Sequence, residues 1–505
     1  MNETTSATWP PGEAGGHRWI FATLLVVGAL ATTAGIILGN GNIAVAAAPV
    51  LGMAALGALL VTPLRTPLFV LIFLCLGLDA VDEGPWNSPL APIGRMLVQN
   101  LNKTIPGLEL PLQLFGVVFL FLLVLHVHRR LTGSRTDSLA HLGFARPMSL
   151  AMAFSSLAIL AEVLNGWARG GDVQMAKIQV QSFIFTLLLA YLLGVSLRGA
   201  RDYKMIGRLV LAAACSKALL AIWVYKVVIP TMAANPEVAT THGDSMLFTV
   251  ATIMLLSRFY EQPIRRNAFF CLAFLPLFAY AMIANNRRLA WVEVAAAVLA
   301  LYIVSRRTRL KRFITQTVLM SVPLLLAYVA VGWNSTAKIF GPIKIFRSVG
   351  DGQVDGSTLY RDLENFNLIQ MLKENLVFGS GFGHPYKLVV IMPDISFFKE
   401  WRYMPHNSVL GLWAFTGWIG FTGLSIAAIV AVYFAARSYR MSQTPGDRIA
   451  AFTALATILI YWVQCWGDIG FSERNGIFLL GPAIAVAARL AISTGAWGSL
   501  HRAAD

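Results

Sequence analysis

The sequence predicts an all-α integral membrane protein with about 12–14 transmembrane helices, and three observations support this fold class. Hydrophobic residues make up 57% of the 505 residues and charged residues only 13%, against about 25% charged in an average globular protein. A single water-soluble core stops growing at roughly 250–300 residues, so this much apolar surface requires lipid as a second solvent. Arginine and lysine occur in short segments between the apolar runs, which is typical of loops on the cytoplasmic side of a membrane.

Twelve stretches are long and apolar enough to form these helices, since a span needs about 20 mostly apolar residues. They are Trp19–Leu38, Ile43–Val61, Leu112–Val127, Met148–Leu164, Ile178–Leu197, Met205–Ile229, Ala268–Ala284, Leu289–Val304, Phe313–Trp333, Ser408–Ala436, Ile449–Trp466 and Gly476–Ile492. Two weaker runs, Thr66–Val81 and Ser245–Phe259, would both have to cross the membrane to give the larger number. In that arrangement every inside loop is rich in arginine and lysine, so both termini are predicted to be cytoplasmic.

The predicted domain organisation is a membrane bundle interrupted by one long loop. Its parts are a disordered cytoplasmic tail (residues 1–18), a transmembrane bundle (19–333), the long loop (332–405), C-terminal transmembrane helices (406–495) and a second cytoplasmic tail (496–505). The topology places the long loop outside. Because the loop is rich in Phe, Tyr, Leu and Ile, we expect it to be folded, and loops of this length are usually functional.

One amphipathic helix is predicted inside the long loop. It begins at Ser357 or Thr358, either of which can cap its N-terminus, and it ends near Asn375. The residues at helical spacing on one side are Leu359, Leu363, Phe366, Ile369 or Gln370, and Leu372. We expect this side of the helix to rest on the bilayer surface or on the helix bundle.

Composition also excludes several classes of function. The basic residues that give the chain its net charge of +15 lie between apolar runs. This position indicates a role in membrane topology and not a groove for nucleic acid. The four cysteines, Cys75, Cys215, Cys271 and Cys465, are isolated within apolar runs. They form no CxxC pair, so neither a zinc site nor a disulfide framework is predicted.

Two adjacent arginines, Arg287 and Arg288, lie in a predicted outside hairpin between two spans. Positive charge is disfavoured on that side of a membrane, so the pair requires an explanation. One is contact with lipid headgroups or snorkelling. The other is a site for an anionic ligand at the outer leaflet, because guanidinium groups form bidentate hydrogen bonds to phosphate.

Two further basic residues are predicted outside. Arg361 lies on the amphipathic helix, where it either binds the same anion or forms a surface pair with Glu364 or Glu374. His406 lies where the long loop enters a span. It is either a polar group at the start of a helix or a general base, since imidazole exchanges protons near neutral pH.

Three segments, in order, resemble the O-antigen ligase and Wzy-type O-antigen polymerase superfamily of bacterial membrane glycan transferases. Asn285-Asn-Arg-Arg-Leu-Ala-Trp291 resembles the family's Ser-Arg-Gly-x-Trp hairpin. Arg361, a helix and Gly379-Ser-Gly-Phe-Gly383 are similar to its Arg-helix-Gly-x-Gly-Phe-Gly segment. Pro405-His-Asn-Ser-x-Leu410 and Gly417-Trp-Ile-Gly420 resemble its His-Asn-x-x-Leu…Gly-x-x-Gly signature.

The chain departs from the family pattern at several positions. The hairpin serine is missing, residues 375–377 lack the usual proline before the Gly-rich turn, and Thr416 replaces an acidic residue. The hairpin register is ambiguous between Arg287 and Arg288, and alignment on Ala290-Trp291 favours Arg288.

The resemblance implies a GT-C-like enzyme of the bacterial inner membrane that uses neither metal nor cofactor. It implies transfer of a glycan from an undecaprenyl-diphosphate carrier to a hydroxyl of an acceptor glycan or of lipid A-core, on the periplasmic side. The implied catalytic residues are His406 as base and Arg288 and Arg361 at the diphosphate; the implied substrate-binding residues are Arg287, Asn407, Gly381 and Gly383. Ligase, polymerase and protein-directed oligosaccharyltransferase remain open.

Two other functions are compatible with many spans. A transporter or flippase for lipid-linked saccharides would place polar groups near the bilayer midplane, and Lys217, in the middle of a span, is the main feature that favours it. A structural membrane protein without chemistry would leave the ordered outer motifs unexplained. We therefore favour the transferase, and we expect Lys217 to form a structural pair.

Overall fold

A computed structural model of the chain describes residues 43–78, 91–101, 112–132, 144–232, 238–335, 356–395 and 397–497, together with a few isolated positions. The first predicted span, both predicted tails and the loop segment 344–355 lie wholly or largely outside these residues. Helices dominate the described part of the chain, which contains no β-strand.

The helices are α1 (Ile43–Val61), α2 (Arg65–Gly77), α3 (Ala91–Val98), α4 (Leu114–Leu131), α5 (Arg146–Ala168), α6 (Val173–Ser196), α7 (Ala200–Trp223), α8 (His242–Glu261), α9 (Arg265–Ala284), α10 (Arg288–Val304), α11 (Arg309–Gly332), α12 (Gly356–Glu374), α13 (Ser408–Met441), α14 (Pro445–Gly467) and α15 (Arg474–Ser493). A π-helical turn (Val224–Val228) and a 3-10 turn (Ile229–Thr231) extend α7, and another 3-10 turn (Gly470–Ser472) precedes α15.

Nine helical segments of the described chain are long and apolar enough to cross a bilayer. The predicted all-α, multi-pass membrane fold is confirmed. The two weak spans differ from each other: α2 is a short apolar helix of 13 residues, whereas α8 has 20 residues but is not among the nine. Most of α8 is buried, and its Ser, Thr and Asp side chains pack inside the bundle. The total of 12–14 spans stays a prediction.

The chain divides into two compact units. In the first (Met1–Pro67 and Leu125–Asp137), the buried Arg129 donates to the carbonyl oxygens of Leu60 at 2.7 Å and Thr62 at 3.0 Å. These oxygens lie at the C-terminus of α1, where carbonyl groups have no helical partner and a cation is favourable. The second unit (Leu68–Val124 and Ser138–Asp505) is organised around α15, which is buried along almost its whole length and packs on α6, α13 and α14.

The amphipathic helix of the long loop exists, and its predicted apolar stripe is divided, with Leu363 and Leu372 against the protein core and the other apolar members exposed. Leu359, Phe366 and Ile369 are among its exposed side chains. The side of α12 that packs into the protein is instead formed by Tyr360, Glu364, Asn367, Leu368, Met371 and Leu372. This face contacts α13 and shares an apolar core with α5 and α6. Two polar residues therefore lie at core positions that hydrophobic periodicity assigns to solvent.

A break inside α13 receives the end of the long loop. Gly417 interrupts the helix with φ of +60°, a backbone conformation that L side chains rarely adopt. The freed N–H groups of Trp418 and Ile419 donate to the carbonyl oxygens of Leu376 and Val377. The loop segment after α12 is thus fixed against the broken helix.

Candidate functional site

A histidine–glutamate pair lies where the long loop meets α13. His406 keeps 26% of its side chain exposed, whereas Glu364 of α12 is buried, with 1% exposed. The backbone N–H of His406 donates to Glu364 Oε2 at 2.8 Å, and its ring Nδ1 lies 3.4 Å from Oε1. A carboxylate at this position favours the tautomer that is protonated on Nδ1. The other ring nitrogen, Nε2, is then left to accept a proton.

Two tyrosines enclose the pair. The hydroxyl of the buried Tyr386 donates to Glu364 Oε1 at 3.4 Å. Burial and then the nearby Glu364 carboxylate raise the pKa of Tyr386 above its ordinary value, so it stays a donor. The ring of Tyr360 meets the His406 ring edge-on, with the centroids 5.4 Å apart. These contacts restrict the His406 ring on one side and keep its carboxylate partner in place.

A second histidine–carboxylate pair lies beside the first. His242, the first residue of α8, forms an ion-pair contact through Nδ1 with Asp468 Oδ2, between α14 and α15. Burial is the main cause that lowers the pKa of His242, to about 3. The nearby Arg287, Arg361 and His406 lower this pKa further. The contact with Asp468 opposes this lowering, because a nearby carboxylate favours a protonated ring.

His242, Arg287, Arg361 and His406 therefore form one histidine cluster, contributed by α8, the α9–α10 turn, α12 and the start of α13. Four parts of the chain bring basic side chains together at one end of the helices. A cluster of this kind suits an anionic ligand, because its guanidinium groups supply charge-assisted donors. The two histidines add groups that can accept or donate protons.

Buried polar contacts hold the segments that carry the cluster. Asn285, at the end of α9, accepts the backbone N–H of Thr240 at 2.8 Å and donates to Ser245 Oγ at 2.6 Å. These bonds tie the turn that carries Arg287 to the segment that carries His242. A buried amide without hydrogen-bond partners is costly, so Asn285 favours the arrangement in which these two segments lie together.

The remaining segments are held in the same way. Ser408 Oγ donates to the carbonyl oxygen of Asp468 at 3.0 Å, which joins the start of α13 to the loop before α15. Lys217 Nζ lies 3.4 Å from both carboxylate oxygens of Asp244, and both residues are fully buried. Asn475 donates to Oδ1 of the same carboxylate at 3.1 Å. The expected structural pairing of Lys217 is confirmed.

Residues 271–425 match the family model described as O-antigen ligase (Wzy_C). The predicted resemblance to this superfamily is confirmed over these residues. A comparison with curated proteins gives no match. The O-antigen ligase segment includes Arg287, Arg361, Glu364 and His406, whereas His242 and Asp468 lie outside it.

Within the O-antigen ligase segment, the structure separates the two hairpin arginines. Arg287 immediately precedes α10, is half-buried and acts on His242. Arg288 is the first residue of α10 and is exposed. The sequence alignment favours Arg288 as the family arginine, whereas Arg287 is the hairpin arginine whose charge lowers the pKa of His242. Asn407 lies next to His406, and its side chain accepts the N–H of Leu410 at 3.0 Å as the N-cap of α13.

The Gly-rich turn of the O-antigen ligase segment packs against protein on all sides. The N–H of Gly381 donates to the carbonyl oxygen of Phe415 at 2.8 Å, beside the break in α13. The N–H of Gly383 donates to Gln179 Oε1 at 2.7 Å. These two groups are thus engaged within the chain, which favours a structural role for the predicted substrate-binding glycines. Gly417 and the Gly-rich turn, two separate motifs in sequence, form one packed unit.

A substitution tests this structural role. Gly381→Ala should lower the free energy of unfolding by about 2–5 kcal/mol, because φ is +81° and a Cβ would lie 2.2 Å from the backbone nitrogen of Gly166. Thermal unfolding in detergent measures the effect. Gly170→Ala is the matched control, since Gly170 has a similar φ of +82° but open space around its Cβ position. A stable Gly381→Ala protein with impaired substrate affinity would contradict this prediction.

Sequence reasoning missed three members of the site. Glu364 was considered only as a surface partner of Arg361, because it lies off the apolar stripe. His242 and Asp468 are visible in the sequence as polar residues of predicted outside loops. Their shared position at the ends of different helices is the signal that could have grouped them, but no spacing rule links residues so far apart in the chain.

Proposed function

We propose that the protein transfers a glycan from undecaprenyl-diphosphate to an acceptor hydroxyl on the periplasmic side of the bacterial inner membrane. Glycan transfer in general follows from the O-antigen ligase family. The observation that carries the finer proposal is the histidine cluster. In it, His406 has a buried carboxylate partner, and His406, Arg287 and Arg361 all lie near His242. This combination supplies both a base and a binding site for a diphosphate.

In this mechanism His406 acts on the acceptor. The acceptor oxygen attacks the anomeric carbon of the donor sugar, and its proton passes to Nε2 of His406. The bond between that carbon and the diphosphate oxygen breaks, and the diphosphate leaves with the electron pair. Glu364 stabilises the imidazolium that forms, as carboxylates do for catalytic histidines. Arg287 and Arg361 stabilise the charge that builds on the leaving diphosphate.

The predicted topology supports a periplasmic site. All members of the cluster lie in segments for which the positive-inside rule gives an outside position. Arginines on that side are disfavoured unless they have a partner, and a lipid-linked diphosphate at the headgroup plane is such a partner. The main argument for the alternative, a transporter or flippase, is weakened because Lys217 is paired with Asp244.

A product assay in detergent separates transferase from transporter. Purified protein is incubated with radiolabelled undecaprenyl-diphosphate glycan and an acceptor, and labelled acceptor is measured by chromatography. A transferase forms product without a sealed compartment, whereas a transporter does not. Absence of product with every acceptor class (lipid A-core, a second lipid-linked glycan, a peptide) would reject the proposed reaction, and the acceptor that works identifies ligase, polymerase or oligosaccharyltransferase.

Glu364 gives a sharper test of the proposed base. Glu364→Gln keeps the size of the side chain but removes the charge that stabilises an imidazolium, so we expect transfer to fall by about 10²-fold or more. Glu374→Gln is the matched control on the same helix, since Glu374 is exposed and forms an ion pair with Lys387, away from His406. Equal activity in both variants would remove Glu364 from the mechanism.

A further inference from the structure

A second polar region lies at the opposite ends of the same helices. It surrounds a cavity of about 330 Å³ between the first half of α7, the second half of α8, the first half of α14 and the middle of α15. Arg258 lines it, and His242 of the histidine cluster lies at the other end of α8. With a rise of 1.5 Å per residue, these two residues are about 24 Å apart along the helix. The cavity therefore cannot be part of the proposed transfer site.

Four basic side chains line this cavity, which we call the arginine cavity: Lys204, Arg208, Arg258 and Arg266. Arg208 and Arg266 both act on Arg258 as like charges. No ion pair of these four is present in the part of the chain that the structure describes. Like charges held together without a counter-ion are unfavourable, so an anion would stabilise the arrangement.

The nearby carboxylates are already engaged. Glu261 accepts from Arg448 and Tyr439. Asp202 accepts the backbone N–H of Arg198, and Asp447 accepts from Thr444 at the start of α14. None of the ion pairs of the described residues joins these acids to the four basic side chains of the arginine cavity.

The rest of the lining is apolar and lies deeper in the bundle. Leu211 and Val250 are about one to two helical turns from Arg208 and Arg258 along α7 and α8, and Phe478 and Leu479 of α15 also line the cavity. A free phosphate would use only the basic part. A ligand with both an anionic head and a hydrocarbon chain would use the whole lining.

We propose that the arginine cavity binds an anionic membrane phospholipid, with its phosphate between the guanidinium groups and part of an acyl chain against the apolar lining. Positive charge on this side is expected from topology alone. Topology does not require that charges from α7, α8 and α9 surround one cavity. Basic pockets between transmembrane helices are known binding places for anionic headgroups.

Native mass spectrometry of the full chain in non-denaturing detergent tests the site. Phosphatidylglycerol and phosphatidylcholine with identical acyl chains are titrated separately, and inorganic phosphate is added as a competitor. We expect phosphatidylglycerol to be retained at least about tenfold more than phosphatidylcholine, and millimolar phosphate to leave it bound. Equal retention of both lipids would overturn the proposal, because it would mean that only the acyl chains bind. Displacement by phosphate alone would also overturn it, because the cavity would then be a site for a soluble anion.

Two triple variants show whether the arginine cavity itself is responsible for the preference for phosphatidylglycerol. Arg208→Gln, Arg258→Gln and Arg266→Gln together should remove the preference for phosphatidylglycerol. The control, Arg307→Gln, Arg309→Gln and Arg312→Gln, removes the same charge from another loop on the same predicted side and should retain it. If both triple variants lost the preference for phosphatidylglycerol equally, the preference would reflect general attraction between the basic surface and anionic lipid, and the proposed site would be overturned. If the first variant fails to fold, Arg266→Gln alone, at an exposed position, should reduce the preference several-fold, and an unchanged preference would overturn the site.

Discussion

Replacing His406 with alanine is expected to lower glycan transfer by about 10²–10⁴-fold, the usual contribution of a positioned general base. The variant loses the only imidazole that is paired with Glu364 in the described structure. It keeps the backbone N–H that donates to Glu364 Oε2 at 2.8 Å. Because that hydrogen bond still joins α12 to the start of α13, we expect the protein level in membranes to stay the same.

The measurement is product formation per mole of folded protein with labelled undecaprenyl-diphosphate glycan. His384→Ala is the control, because it removes an imidazole from the same loop, one whose Nε2 contacts the carbonyl oxygen of Gly166 and not a carboxylate. Partial rescue of the His406 variant by added imidazole would identify proton transfer as the lost function. Full activity of His406→Ala would exclude His406 as the base and leave His242 as the remaining histidine of the cluster.

The sequence predicted the membrane fold but not how the side chains meet. Hydropathy and charge bias identified that fold, and the positions of Arg288, Arg361 and His406 outside the spans predicted a cluster of basic groups at the outer face. Helix periodicity did not place Glu364 and Asn367 of α12 in the core, because it treats polar residues as solvent-facing. Asn367 is buried there, and its side chain satisfies the backbone N–H groups of Val389 and Val390.

The glycine motifs are a second case in which the sequence does not predict how distant segments contact each other. A Gly-rich turn after a helix suggests a backbone site for phosphate, and the sequence contains nothing that argues against it. Only the structure shows that the turn enters the break at Gly417 and that its N–H groups have partners within the chain. The required information is a contact between segments that are far apart, which no local pattern contains.

The second largest expected effect on glycan transfer comes from replacing one of the two hairpin arginines. Arg287→Gln should lower transfer by about 10²–10³-fold, the cost of losing one donor to charge that develops in a transition state. Arg288→Gln should stay within about threefold of the unsubstituted protein, because Arg288 is exposed and points to no identified partner. Both are measured as kcat and KM for the diphosphate-linked donor, with membrane levels of the two variants compared.

The two arginines make a matched pair because they are adjacent, identical in type and equally charged. Any general effect of charge at the outer leaflet changes equally in both variants, so a difference between them reports position alone. Asn285 fixes that position by binding Thr240 and Ser245, which holds the turn so that Arg287 acts on His242. If Arg288→Gln were the inactive variant, the register given by Ala290-Trp291 would be correct, and the cluster around His242 would not be where the diphosphate binds.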